Sequence, residues 1–169
     1  MKNDSRGMTA VAARMGAGAL AGFAATFVLD AVTELLYTAK IKERERAISS
    51  RGAGAAVAFK ILDALRLGPN DEDAEKAGQI LHWTIGVGSG IVAGFLADED
   101  TISTVSASAM TAAGMLCFDE FGMSAIGAMP PSWRYPWQSN FRSAVGHATY
   151  GAVLALTYAY LTRLANLRN

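Results

Sequence analysis

Charge in this chain is segregated rather than spread, and this limits the possible folds more than any other feature. Charged residues gather at 40–46 "KIKERER", at 71–76 "DEDAEK" and at 98–100 "DED". Between them lie runs of Ala, Gly, Val, Leu and Ile over approximately 15–39, 77–97, 101–125 and 144–162. Each run is close to the ~20 residues a helix needs to cross ~30 Å of hydrocarbon. A soluble helix shows a polar face every turn. Yet "TIGVGSGIVAGFLA" (84–97) and "GAVLALTYAYL" (151–161) carry no charge on any face. The expected fold is all-α: a four-transmembrane-helix bundle, with residues 1–169 as a single integral membrane domain. A soluble helical bundle is the competing reading, because alanine-rich helices also fill globular cores.

The rest of the composition mainly excludes. Fifteen basic residues balance fifteen acidic ones, so nothing points to nucleic acid as a partner. The single cysteine, Cys117, rules out an internal disulfide and any multi-cysteine zinc cluster, and reads as a small packing residue. The first run is too long, and holds too many acids, for a cleavable signal peptide. "GVGSGIVAG" lies inside a helical run with no preceding strand, so it is no nucleotide-binding glycine loop.

Small residues recur every four positions. The second run has Gly78, His82, Gly86, Gly90 and Gly94; the fourth has Ser143, His147, Gly151, Ala155 and Ala159; the first offers Gly18, Gly22, Thr26, Asp30 and Glu34. Lipid gives helices no hydrophobic reason to associate, so small residues that admit close backbone approach become the contact surface. A four-residue stripe drifts around a helix of 3.6 residues per turn, which favours crossed helices. Runs one and three each carry an acid about two-thirds along, Asp30 and Asp119. Runs two and four each carry a histidine near their start with glycine four residues on. The expectation is a tandem repeat of a helical hairpin.

The "HWTIG" motif, the proline-rich connector and the aromatic-Pro-Trp stretch leading to "GH" in "MPPSWRYPWQSNFRSAVGHATYG" resemble the YagU-like family of uncharacterised bacterial inner-membrane proteins. The likeness covers the second half of the chain well and the first half loosely. It implies a helical fold and a multi-pass location in the bacterial inner (cytoplasmic) membrane. It carries no activity and no catalytic residue.

Depth arithmetic defines the candidate site. Asp30 lies about 10 Å from the end of its run at 1.5 Å per residue. His82 lies a similar depth into the next, and Asp119 and His147 repeat the relation. Glu34 is one turn from Asp30, and Glu120 adjoins Asp119. Ionisable groups at such depth persist when paired, protonated or facing water. Three readings are open. In the first, each Asp accepts a hydrogen bond from the His of its partner helix and fastens a hairpin, in a structural or accessory membrane component. In the second, His82, His147, Asp30 and Asp119, with Glu34 and Glu120 as further ligands, hold a metal, or the two histidines ligate haem. The third is a proton or ion path, which would need a homo-oligomer or a larger membrane complex. No nucleophile elbow or phosphate loop is visible, so an enzyme is not expected. Tyr150 and Trp83 read as packing or interfacial aromatics.

The first connection, 40–76, is too long for a plain turn. Residues 53–67 set Lys60, Asp63 and Arg66 against Val57, Phe59, Ile61, Leu62 and Leu65, an amphipathic helix that lies at the headgroups or caps the bundle. "GPNDEDAEK" places acids where a helix N-terminus favours them. Trp133, Tyr135 and Trp137 read as interfacial anchors. Lysine and arginine concentrate in connections one and three, which leans towards cytoplasmic placement of both.

Overall fold

The computed structural model describes residues 2–97 and 101–165, with side chains from Met8 onward; the acidic cluster at 98–100 lies outside the described residues. The described chain is all-helical. Helix α1 spans Lys2–Leu35, α2 Ala39–Ile48, α3 Ala53–Ala64 and α4 Asp71–Leu96. Helix α5 spans Thr104–Cys117 and runs through a π turn at Phe118–Gly122 into the short α6, Met123–Ala125. A 3-10 turn at Ser132–Arg134 precedes α7, Trp137–Leu164. Helix α1 packs on α4 and α7, α3 on α4, and α5 on α7 and more lightly on α4.

Caps explain several boundaries. Helix α4 starts at Asp71, earlier than the apolar run, because Asn70 accepts from the Asp73 N–H. Asp71, Glu72 and Asp73 then occupy its first turn, where the helix dipole favours them. Ser103 caps α5 by accepting from the Ser106 N–H. The amphipathic helix α3 ends at Ala64, not near residue 67, since Arg66 adopts a left-handed φ of 60°. It is packed rather than free: Ala55, Ala56 and Ala58 are buried, and Arg51, just before its start, lies 3.7 Å over the Phe59 ring. Helix α2 has no signature in the apolar pattern, because its ten residues are rich in Lys, Arg and Glu and none of them is buried. Helix α7 begins seven residues before the fourth apolar run and takes in Trp137, Phe141 and Arg142.

The expected glycine crossing is present. A methyl group placed on Gly22 would stand 2.7 Å from the Gly86 carbonyl oxygen, and one on Gly90 would meet the Gly18 carbonyl oxygen and stand 2.7 Å from the Gly22 Cα. One on Gly86 would overlap the Thr26 hydroxyl. Gly78, at the start of the same stripe, is covered by α3: its methyl would lie 2.6 Å from the Gly54 carbonyl carbon. Small residues thus let α1, α4 and α3 touch backbone to backbone.

Burial is distributed accordingly. The interior of the bundle is built from Ala17, Ala21, Ala25, Ala93, Ala107 and Ala112, closed by Tyr150, Leu154 and Tyr158 from α7. Large apolar side chains face outwards instead, among them Leu20, Phe23 and Phe27 on α1, Val92 and Phe95 on α4, and Leu156 on α7. Met8–Leu35 and Asp71–Leu96 are long and apolar enough to cross a membrane, and they are the two such helices among the described residues. The third expected run is divided by its π turn into a 14-residue α5 and a short continuation, and the fourth is diluted by Ser, Thr, Tyr and His.

Candidate functional site

The structure forms both expected His–Asp pairs. His82 on α4 sets its Nε2 2.8 Å from Asp30 Oδ1 on α1. An ionised carboxylate only accepts, so the imidazole donates from Nε2. His147 on α7 sets its Nε2 3.5 Å from Asp119 Oδ2. Its other nitrogen, Nδ1, lies 2.9 Å from the Ser143 carbonyl oxygen one turn earlier and must be the donor there, since a carbonyl only accepts. Both histidines therefore turn the same nitrogen, Nε2, to an aspartate outside their own helix. The distances differ in kind: the first is a good hydrogen bond, and the second is longer than one.

Asp119 sits in the π turn that continues the regular α5. There the Met123 N–H bonds to the Phe118 carbonyl rather than to Asp119. One extra residue per turn rotates the following side chains relative to a continuous α-helix, and such turns are frequent at functional sites. Gly122 leaves room for the Phe118 ring, since a methyl on it would stand 2.5 Å from that ring.

The outlying acids do not join the pairs. Glu34 reaches out to Lys42, 3.1 Å away, and is largely exposed. Glu120 contributes through its backbone, whose carbonyl accepts from the Ser132 hydroxyl at 2.5 Å. Among the described residues no three His, Cys, Asp or Glu side chains are placed to hold one metal ion. The four residues make two His–Asp contacts, a hydrogen bond at His82–Asp30 and a longer approach of 3.5 Å at His147–Asp119. Cys117, expected to pack, is exposed.

His82, Asp119 and His147 nevertheless line one cavity of about 540 Å³, together with Met110, Met115, Phe118 and Met123. Tyr150 borders it and donates its hydroxyl to the Gly86 carbonyl at 2.6 Å, tying α7 to the glycine stripe of α4. This bond was not legible in the sequence, where Tyr150 looked like plain packing. Tyr150→Phe is expected to cost about 1 kcal/mol, the usual net worth of one buried hydrogen bond. Thermal unfolding of the purified variant measures it, and a loss under a few tenths would show that the hydroxyl contributes nothing. Trp83 packs as expected, its ring 5.0 Å from that of Phe23.

A second polar cluster went unanticipated. Arg142 of α7 donates to Glu45 of α2 at 3.0 and 3.3 Å and stacks 4.0 Å over the Tyr37 ring. Tyr37 donates its hydroxyl to the same carboxylate at 2.5 Å. Burial on its own would raise the Glu45 carboxyl, but the Tyr37 hydroxyl and the Arg142 guanidinium bonded to it hold it below the ordinary range. This cluster fastens connection one to the start of α7. Ser49 beside Met129, 3.7 Å apart, brings connections one and three to the same end of the bundle.

Comparison with family models, with curated proteins and with solved structures finds no match to this chain. Its class is therefore stated from the architecture alone: an all-helical bundle, closed by a glycine-mediated crossing and carrying two His–Asp pairs.

Proposed function

We propose that this chain is a four-span membrane protein of the bacterial inner membrane, a structural or accessory component whose two hairpins are braced by His–carboxylate pairs. The observation that carries the reading is the distribution of burial: the interior is mostly alanine and glycine, closed by a few large side chains such as Leu29, Leu154 and Tyr150, while most of the leucine and phenylalanine faces outwards. Water would penalise such a surface, whereas acyl chains are as apolar as the side chains facing them. Within that setting α5 with its π-turn continuation and α7 serve as the third and fourth spans. Trp133 and Trp137, both outward-facing, serve as anchors near the headgroups. The two pairs then partner four ionisable groups, closely at His82–Asp30 and more loosely at His147–Asp119. Membership of the YagU-like family, the tandem-hairpin repeat and a cytoplasmic placement of connections one and three belong to the same proposal.

Two measurements test it. After cell lysis the protein is expected to stay with the membrane pellet through alkaline carbonate washing and to need detergent for release; recovery in the soluble fraction would refute the membrane reading. His82→Ala is then expected to destabilise the detergent-solubilised protein by about 0.6–1.7 kcal/mol, the range for polar contacts between membrane helices. An unchanged unfolding midpoint in both His82→Ala and His147→Ala would refute the bracing role.

A further inference from the structure

The cavity holds more than bracing requires. Its volume of about 540 Å³ falls within the range of small-molecule sites, and its wall is mostly aliphatic, methionine-rich and aromatic. No lysine or arginine lines it among the described residues. The carboxylate of Asp119 is presented to this space: its side chain is 41% exposed, against 10% for His147 behind it. At 3.5 Å the imidazole does not saturate the carboxylate oxygens. The other imidazole, His82, is committed through Nε2 to Asp30.

Three of the four lining hydroxyls, Ser89 being the fourth, agree in sign. Thr26 donates to the Gly22 carbonyl, Thr111 to the Ala107 carbonyl and Tyr150 to the Gly86 carbonyl. Their hydrogens are spent, so these side chains can offer a guest only lone pairs. Phe118 stands beside Asp119 on the cavity wall and adds an aromatic ring, a group that attracts cations.

We propose that this cavity binds a small amphiphilic monocation, an organic ammonium or phosphonium with an apolar body, with the Asp119 carboxylate as its counter-ion. The inference goes beyond the bracing role, and it draws on a carboxylate presented to an apolar space whose described lining holds no lysine or arginine. An organic anion of the same shape would meet a carboxylate with no lysine or arginine on the described lining to offset it, and a neutral molecule would gain at most a hydrogen bond from Asp119, without the charge pairing.

The full chain in a neutral detergent, titrated calorimetrically with tetraphenylphosphonium, provides the test. One saturable site per chain is expected, and tetraphenylborate, the anion of the same shape, should neither bind there nor displace the cation. Asp119→Asn should weaken binding at least about tenfold, as removal of a desolvated charge partner does. Gly114→Phe leaves the carboxylate in place and fills the space, because nothing stands within 4 Å of a Cβ at that lining position. It should abolish the site even where Asp119→Asn does not fold. Absence of saturable phosphonium binding, equal affinity in a folded Asp119→Asn variant, unchanged binding in Gly114→Phe, or displacement by tetraphenylborate would each overturn the proposal. The unfolding midpoints of the histidine variants are read separately, so the bracing role stands or falls independently of this binding.

Discussion

Gly90→Ala is expected to destabilise the protein by more than about 3 kcal/mol, at or beyond the upper end of ordinary overpacking, and Gly90→Leu to prevent folding. The new methyl would meet the Gly18 carbonyl oxygen and would lie 2.7 Å from the Gly22 Cα. Both neighbours are backbone, so no side chain can swing away; the two helices must separate. Separation would also pull Thr26 from Gly86 and lengthen the His82–Asp30 bond of 2.8 Å on the same stripe. Gly88→Ala supplies the control. It lies two residues away on the same helix with nothing within 4 Å of its Cβ. Removing glycine's backbone freedom there is expected to raise stability by about 0.5–1 kcal/mol. Thermal or denaturant unfolding of the two variants side by side decides the matter. If both shift the midpoint in the same direction by similar amounts, backbone contact at Gly90 does not hold the bundle.

The second large effect is expected at Glu45 and Arg142. Their side chains are 16% and 24% exposed, so removing one partner strands the other's charge in a poorly solvated place. Arg142→Met is expected to cost about 2–4 kcal/mol, between a charge-assisted hydrogen bond and a fully buried pair. Adding Glu45→Gln should recover part of that loss, because the stranded charge is then gone as well. The acid limb gives an independent reading. A carboxyl held below its ordinary value of 4.5 stabilises the fold above that value, and the contribution is lost as pH falls through the lowered one. The stability difference between wild type and Glu45→Gln should therefore be level down to about pH 5 and shrink below it. A difference that grew on acidification would contradict the assigned direction. The same loss should loosen α2 from α7, since Tyr37 and Arg142 meet on that carboxylate.

Packing and chemistry are joined at the glycines. Backbone contact there sets the separation of α1 and α4, and this separation puts Asp30 within reach of His82. Tyr150 bonds to the carbonyl of Gly86 on the same stripe, so α7 is registered against α4, and His147 is carried to the cavity with it. Asp119 arrives from the opposite wall through the π turn. A bundle assembled from alanine and glycine leaves more free space at one level than one filled with leucine, and that space is the cavity the ionisable groups share.

Position along a helix is legible in the residues alone. Four-residue spacing put Gly18, Gly22, Thr26 and Asp30 on one face and Gly86, Gly90 and Gly94 on another, because 3.6 residues per turn allows nothing else. Rise per residue set Asp30 at the depth of His82, and Asp119 near that of His147. Helix termini at Asn70 and Ser103 arise from local capping chemistry. The remaining features come from how the helices meet. The Tyr37–Glu45–Arg142 cluster joins positions up to 105 apart in sequence and depends on how connection one folds back over α7. The π turn depends on where the Phe118 ring finds room against Gly122. The cavity, the outward aim of Glu34 and the unequal lengths of the two His–Asp contacts depend on how far apart crossed helices come to rest. Periodicity fixes which side chains share a face, but only packing fixes the distance between faces, and the chemistry of this site lies in that distance.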